Sequence, residues 1–225
     1  MCMCGRYVLE EWSDEIAALF GVDNADEKEF SNWNVAPTQV MPVIAEIDGK
    51  RKVEPMKWGL VPNWSKEPQS KYATFNARSE DLFEKPTWRG PARYHRCLIP
   101  ATGFYEWRRL DGGTKGKQPT FIHPKDQKYF AFAGLFDEWR GELLTYSIVT
   151  TTPNEEMSAI HNRMPVILHP DDWSDWLSSS LKTRDSLEPL LRPYEDGKLE
   201  MFEVSSDVNA VRNNNGNLIL PRNSQ

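Results

Sequence analysis

Cysteine is scarce in this chain: Cys2, Cys4 and Cys97 are the three present among 225 residues. Three cysteines cannot build a disulfide framework, so a reducing compartment is expected, in which free thiols persist. An excess of positive charge is lacking too. The formal net charge is −6, which excludes a protein that coats duplex DNA through bulk charge but leaves room for a local basic groove. No apolar run reaches membrane length, and no basic segment precedes an apolar one near the start, so neither a spanning helix nor a secretory leader is expected. Metal motifs are missing as well. Cys2 and Cys4 stand too close together, Cys97 has no partner motif, and His95, His123, His161 and His169 form no HExxH or CxxC pattern. No metal and no cofactor are expected.

The chain does have enough length and apolar content to bury a core: 39% of residues are hydrophobic and 12% aromatic. Nine tryptophans are many for this length, and composition alone cannot separate core building from base stacking. One window is basic: Lys85, Arg89, Arg93, Arg96, Arg108 and Arg109, interleaved with Trp88, Tyr94, Phe104, Tyr105 and Trp107 and opposed by Glu106. Such a window suits phosphate contact with base stacking, or a solvated face balanced by acids elsewhere.

Periodicity predicts a helix over residues 10–20, with Trp12, Ile16, Leu19 and Phe20 on one face and Gly21 as its stop. Residues 22–34 are polar and read as a loop. Val40–Ile47 and Lys52–Leu60 read as a hairpin across Asp48-Gly49, with Pro42 and Pro55 marking edges or bulges. Arg78–Glu84 is a short helix candidate. Strands are predicted at Arg96–Ile99, Gly103–Arg109, Pro119–His123, Tyr129–Phe136, Leu143–Thr151 and Met201–Val204, with a turn at Asp111-Gly112-Gly113. Short helices are predicted at Asn154–His161, Asp171–Leu177 and Asp185–Leu191, and only Leu218–Leu220 of the Asn-rich tail could dock. No repeat or linker divides the chain. The expected fold is one α+β domain over residues 1–225, with a mainly antiparallel, barrel-like sheet and few short helices.

The most informative residues stand at the start, Met1-Cys2-Met3-Cys4-Gly5-Arg6-Tyr7. A cysteine that becomes N-terminal carries a thiol and an amine on adjacent carbons. The amine forms an imine with an aldehyde, and the sulfur then closes a thiazolidine ring. The α-amine titrates near ~7.7–8.0, so part of it is neutral and nucleophilic at neutral pH. The alternative is an ordinary start with an inert cysteine. Other constellations are equally double-edged. Glu106 lies among large aromatics on a strand, where desolvation would make it an acid or base near neutrality, or it is simply exposed. His161 enters the apolar stretch Arg163–Leu168 as a proton handler or a core histidine. Asn76 and Arg78 could orient an amine and clamp phosphate, or open a helix. Thr150, Thr151 and Thr152 either line a site or close a turn.

Taken together these motifs are specific. Met3-Cys4-Gly5-Arg6, Asn34–Thr38, Trp58–Trp64, Asn76–Glu80, Cys97–Trp107, Thr151–Asn154, His161–Leu168 and Val204–Asn209 follow one another in an order that resembles the SOS-response-associated peptidase (SRAP) family, sensors of abasic sites in single-stranded DNA. The resemblance spans roughly residues 3–209 and leaves 210–225 as a tail. It implies a covalent cross-link between the N-terminal cysteine and the deoxyribose aldehyde. It implies that Cys4 is the nucleophile, that Glu106 helps open the sugar ring and assists reversal, and that His161 moves protons. It implies that Asn76 positions the cysteine and DNA, and that Arg6 and Arg78 bind phosphate. Thr150 would contact the linkage, and Trp64 and Arg163 join these as DNA-binding candidates. A monomer is expected, in the cytoplasm of a bacterium, close to the nucleoid, or in the nucleus of a eukaryote.

One departure matters. The family places its cysteine second, directly before Gly-Arg, whereas here Met1-Cys2 precedes that unit. Translation starts at Met3, or the first residues are removed, or Cys2 is the reactive terminus; Gly5 and Arg6 favour Cys4. An N-terminal-nucleophile peptidase that acts on its own leader or on other proteins is the rival reading, and a non-catalytic binding module is a third. Intact mass of protein isolated from cells is expected to match a chain beginning at Cys4; a mass that begins at Met1 or Cys2 would contradict that assignment.

Overall fold

The computed structural model describes residues 4–22, 30–70, 72–110 and 116–222. Its centre is a ring of five strands. β3 (Val40–Ile47) and β4 (Lys50–Trp58) form the expected hairpin, and Asp48 (φ 53°) and Gly49 (φ 73°) take the left-handed conformations that a two-residue turn of this kind requires. β6 (Arg96–Ala101) pairs with β3 and with β9 (Phe130–Trp139); β9 pairs with β10 (Leu143–Thr151), and β10 closes the ring by pairing in parallel with β4. A short strand, β5 (Asn76–Arg78), continues along β10, also in parallel. β11 (Met164–Pro165) and β12 (Ile167–Leu168) add to β10 and β9.

A second sheet packs on this barrel. Its order is β13 (Leu199–Glu203), β8 (Lys117–Pro124), β7 (Gly103–Arg109), β1 (Tyr7–Trp12), β2 (Phe30–Val35). Side chains alternate across it with period two. Tyr7, Leu9, Phe104 and Ile122 face the barrel core, while Val8, Tyr105 and Phe121 face the other way and are covered by Val204, Val208 and Leu218 of the C-terminal segment. The sheet is therefore buried on both faces at its centre. The tail docks through Leu218, within a 3-10 turn at Gly216–Ile219, whereas Leu220 stays exposed.

The helices are short: α1 (Asp14–Leu19), α2 (Pro86–Tyr94), α3 (Glu155–Ser158), α4 (Trp173–Leu177) and α5 (Arg184–Leu187) among the described residues. The α+β class and the antiparallel barrel thus agree with the sequence reading, and several details correct it. Residues 10–20 are not one helix. Tyr7–Trp12 is drawn into a strand by pairing with β2 and β7, so Trp12 ends a strand and only Asp14–Leu19 is helical. Residues 30–34, read as loop, are strand β2, a polar edge whose backbone pairs with β1. Arg78–Glu84 holds the end of β5 and a 3-10 turn at Ser79–Asp81, and the longer helix lies at Pro86–Tyr94.

Pro42 and Pro55 face each other within a regular ladder, where β6 and β10 do not pair with β3 and β4, so their missing N–H groups cost no hydrogen bond. The turn expected at Asp111-Gly112-Gly113 lies outside the described residues. Core building accounts for most of the tryptophans. Trp12, Trp58 and Trp176 are buried; Trp58 donates to the Phe75 carbonyl at 2.8 Å and Trp176 to that of Cys97 at 3.0 Å.

Candidate active site

The β1–β7 ladder determines what stands beside the chain's start. Tyr7 faces Phe104 and Val8 faces Gly103, and the Tyr105 N–H donates to the Arg6 carbonyl at 3.0 Å. Carried one step further, this antiparallel register brings residues 4 and 5 alongside Glu106. Glu106 alternates with Tyr105 and Trp107, so it shares the barrel-facing side with Phe104 and is only 2% exposed. There the Cys4 N–H donates to Glu106 Oε1 at 2.6 Å. Cys4 itself is 1% exposed and bends the chain off the strand with φ at 33°. Asn76, held on β5 by its pairing to Ile148, donates from Nδ2 to the Cys4 carbonyl at 3.5 Å.

Burial dominates the electrostatics. It raises the Glu106 carboxyl from 4.5 to about 7, against the hydrogen bonds from the Cys4 and Trp107 N–H groups and the charge of Lys117, which pull it down. Burial, with the neighbouring Glu106, also holds the Cys4 thiol well above its usual range, so the sulfur is a neutral thiol. The site thus pairs a carboxyl able to give or take a proton at neutral pH with a nitrogen and a sulfur on adjacent carbons.

A cleft of about 570 Å³ is lined by Arg78, Trp107, Arg109, His161 and Arg163, among others. It adjoins the Cys4 contact through Trp107, next to Glu106, and Arg78, two residues beyond Asn76. His161 follows α3, whose first turn is capped by Asn154 accepting from the Met157 N–H at 2.9 Å. Its Nδ1 accepts from the Arg163 N–H at 3.2 Å, which leaves the proton of the neutral ring on Nε2. Burial lowers its pKa, and the charges of Lys117 and Arg109 lower it further. Among the described residues no hydrogen bond joins His161 to Cys4 or Glu106; it is a wall of the adjoining cleft.

The remaining candidates are dispersed. Thr150 is buried beside β5 and donates to the Ala77 carbonyl at 3.4 Å. Arg6 donates to Asn34 Oδ1 and the Val208 carbonyl, each at 2.7 Å, and lies over the Trp107 ring, so it straps the C-terminal segment to β1. Arg163 is nearly buried and clamps Glu80 with both terminal nitrogens, which drives the Glu80 carboxyl down to about 2. Trp64 is 64% exposed and lines a different groove, with Tyr72 and Trp88. Cys2 lies outside the described residues.

The basic window does not form one stripe. Lys85 borders that second groove, Arg108 pairs with Glu203 at 2.5 Å, and Arg96 is buried, donating to the carbonyls of Trp176 and Ala92. Sequence reasoning missed Glu80, Trp107 and Arg109 as parts of the site, although strand periodicity puts Trp107 and Arg109 on one face. Among the described residues no group of three or more His, Cys, Asp or Glu could hold a metal ion, and no helix is long and apolar enough to cross a membrane.

Comparison with known proteins decides the family. Residues 3–211 match the family described as SOS response associated peptidase (SRAP). The chain is a member of the SRAP family. Relatives of this SRAP chain include the abasic site processing protein YoqW of Bacillus subtilis, 42% identical over 96% of this chain and 99% of the relative. Another is the abasic site processing protein HMCES of Gallus gallus, 36% identical over 84% of this chain and 66% of the relative. A crystal structure of a protein from Bacteroides thetaiotaomicron superposes on this SRAP fold with a TM-score of 0.83, at 28% identity, over 97% of this chain and 99% of that one.

The buried carboxyl of the SRAP site has a measurable signature. Because the folded pKa of Glu106 lies above its ordinary 4.5, the native state binds the extra proton between pH 4.5 and about 7. Its contribution to stability is full below pH 4.5 and is lost as pH rises through about 7. Denaturant unfolding from pH 5 to 8 is expected to show wild type losing on the order of 3 kcal/mol relative to Glu106→Gln. Parallel pH profiles for the two proteins would contradict a buried, proton-holding Glu106.

Proposed function

We propose that this SRAP chain processes abasic sites, and that it captures them in single-stranded DNA as a thiazolidine adduct of Cys4. Relatives named for abasic-site processing over nearly the whole chain support the substrate. The observation that carries the chemistry is the 2.6 Å contact between the Cys4 nitrogen and a Glu106 carboxyl poised near neutrality.

The steps balance as follows. The free amine of a mature Cys4 adds to the C1′ aldehyde of the ring-opened sugar and gives a carbinolamine. Glu106, as the acid, protonates the carbinolamine hydroxyl, water leaves, and an iminium faces the new carboxylate. The Cys4 thiol adds to the iminium carbon and passes its proton to Glu106, which returns to the acid form. One aminothiol and one aldehyde thus become a thiazolidine and one water. Asn76 holds the Cys4 carbonyl and so orients both nucleophiles. His161, neutral and on the cleft wall, handles protons during ring opening of the sugar, and Arg78 contacts phosphate at the cleft. Thr150 and Arg163 shape the floor beside β5, and Arg6 fixes the register of the start. Trp64 is exposed enough to stack on a base. The depth of Cys4 favours a strand free to splay its sugar into the cleft over an intact duplex.

The same contact suits release of the residues ahead of Cys4. While the preceding peptide bond is intact, its nitrogen is the leaving group that Glu106 can protonate. The left-handed φ of 33° at a non-glycine residue is a strain of about 1–3 kcal/mol that cleavage removes. Water would add to the Met3 carbonyl, and the C–N bond would break to leave a free amine on Cys4.

A single-stranded oligonucleotide with one abasic site is expected to give a heat-resistant one-to-one adduct with protein that begins at Cys4. Cys4→Ala should give none, and Glu106→Gln should slow capture by about 10²–10⁴-fold, read by gel shift after denaturation. Protein with a verified Cys4 terminus that forms no adduct would refute the reading, and multiple turnover on peptides would favour the peptidase instead.

A further inference from the structure

Arg109 of β7 and Lys117 of β8 stand directly opposite each other in the antiparallel ladder. Residues so placed send their side chains off the same face of the sheet, with Cβ atoms about 4.5–5.5 Å apart, and like charges there are destabilising. Two neighbouring positions are arranged differently. Arg108 is neutralised by Glu203 at 2.5 Å, and its cross-strand partner is the uncharged Gln118. The repulsive pair therefore falls at the one step of this ladder that borders the cleft: Arg109 shares with Trp107 the face that lines it.

The other cations of the cleft are not equivalent. Arg163 is neutralised by Glu80, whereas Arg78 is exposed and faces the same space. Lys117 is also close enough for its charge to act on both Glu106 and His161. Two cations held side by side at the rim of a cleft match a polyoxyanion that can bridge them, and such an anion relieves the repulsion built into the ladder.

We propose that Arg109 and Lys117 form a phosphodiester clamp on the hairpin side of the cleft, so that a DNA single strand is held between this pair and Arg78. The proposal rests on the reading that the cleft admits single-stranded DNA, but it does not depend on the covalent chemistry of Cys4. The two groups serve as binding residues, and they impose a stability cost that disappears when the strand is bound.

The test uses full-length protein and an undamaged single-stranded oligonucleotide, with affinity measured across a salt series. Arg109→Gln/Lys117→Gln is expected to reduce the slope of log K against log salt by about 1, while the thermal midpoint stays level or rises because the repulsion is gone. Lys50→Gln/Lys52→Gln, which removes the same formal charge from the β3–β4 hairpin, should leave the slope unchanged. An unchanged slope in the Arg109/Lys117 variant, or an equal fall in the Lys50/Lys52 control, overturns the clamp. If the slope falls as expected but no abasic adduct forms, the clamp stands and the covalent reading is lost. Wild-type protein with no salt-dependent affinity for the strand overturns both.

Discussion

One hydrogen bond organises this molecule's chemistry: the Cys4 nitrogen donating to Glu106 across 102 residues of sequence. It exists because β1 and β7 pair in a single register. A slip of one residue in that ladder would turn Glu106 out of the barrel side and present Tyr105 or Trp107 in its place. The register is secured from both faces. Tyr7 and Phe104 are locked into the barrel core, and Val8 and Tyr105 are locked under the C-terminal segment. Arg6 adds a direct tie from the first turn of β1 to the Val208 carbonyl. Strands with side chains buried on both faces cannot slide, and so a reactive terminus can be placed to within a hydrogen bond.

The site also shows what burial does to charge. A carboxyl moved out of water favours its neutral form, and a thiol moved out of water stays a thiol. Two N–H donors and the field of Lys117 return part of the cost to Glu106, which comes to rest near neutrality, not far above it. No comparable donors offset the burial of the Cys4 sulfur. The carboxyl is therefore the proton carrier and the sulfur waits for an electrophile. By contrast, Glu80 sits at the surface end of the same region and is held firmly ionised by Arg163, so it serves structure.

Much of this was legible in the sequence, for definite reasons. Asp48-Gly49 marks a hairpin because few other pairs tolerate two successive left-handed residues, and the strands of the barrel carry dense β-branched and aromatic runs. Motif order brought Cys4, Asn76 and Glu106 to one place. The failures share a cause. Tyr7–Trp12 and Phe30–Val35 are strands only because distant partners pair with them, and the apolar spacing that suggests a helix over 10–20 is the tail of a strand joined to one short helix. Arg6 and Arg163 read as phosphate ligands from their motifs, yet their guanidinium groups are engaged by carbonyls and a carboxylate far away in sequence, which no local pattern reveals. The basic window likewise came apart because Arg96 is drawn into the core by main-chain carbonyls of α2 and α4.

The central claim is that nitrogen and sulfur of one residue act together. It is tested most directly by tandem mass spectrometry of the nuclease-trimmed adduct after digestion and alkylation. The account predicts an N-terminal peptide that begins at Cys4, carries the abasic fragment less one water, and resists both amine acylation and thiol alkylation. An adduct on any other residue, or a Cys4 whose thiol is still alkylated while its amine is blocked, would contradict it.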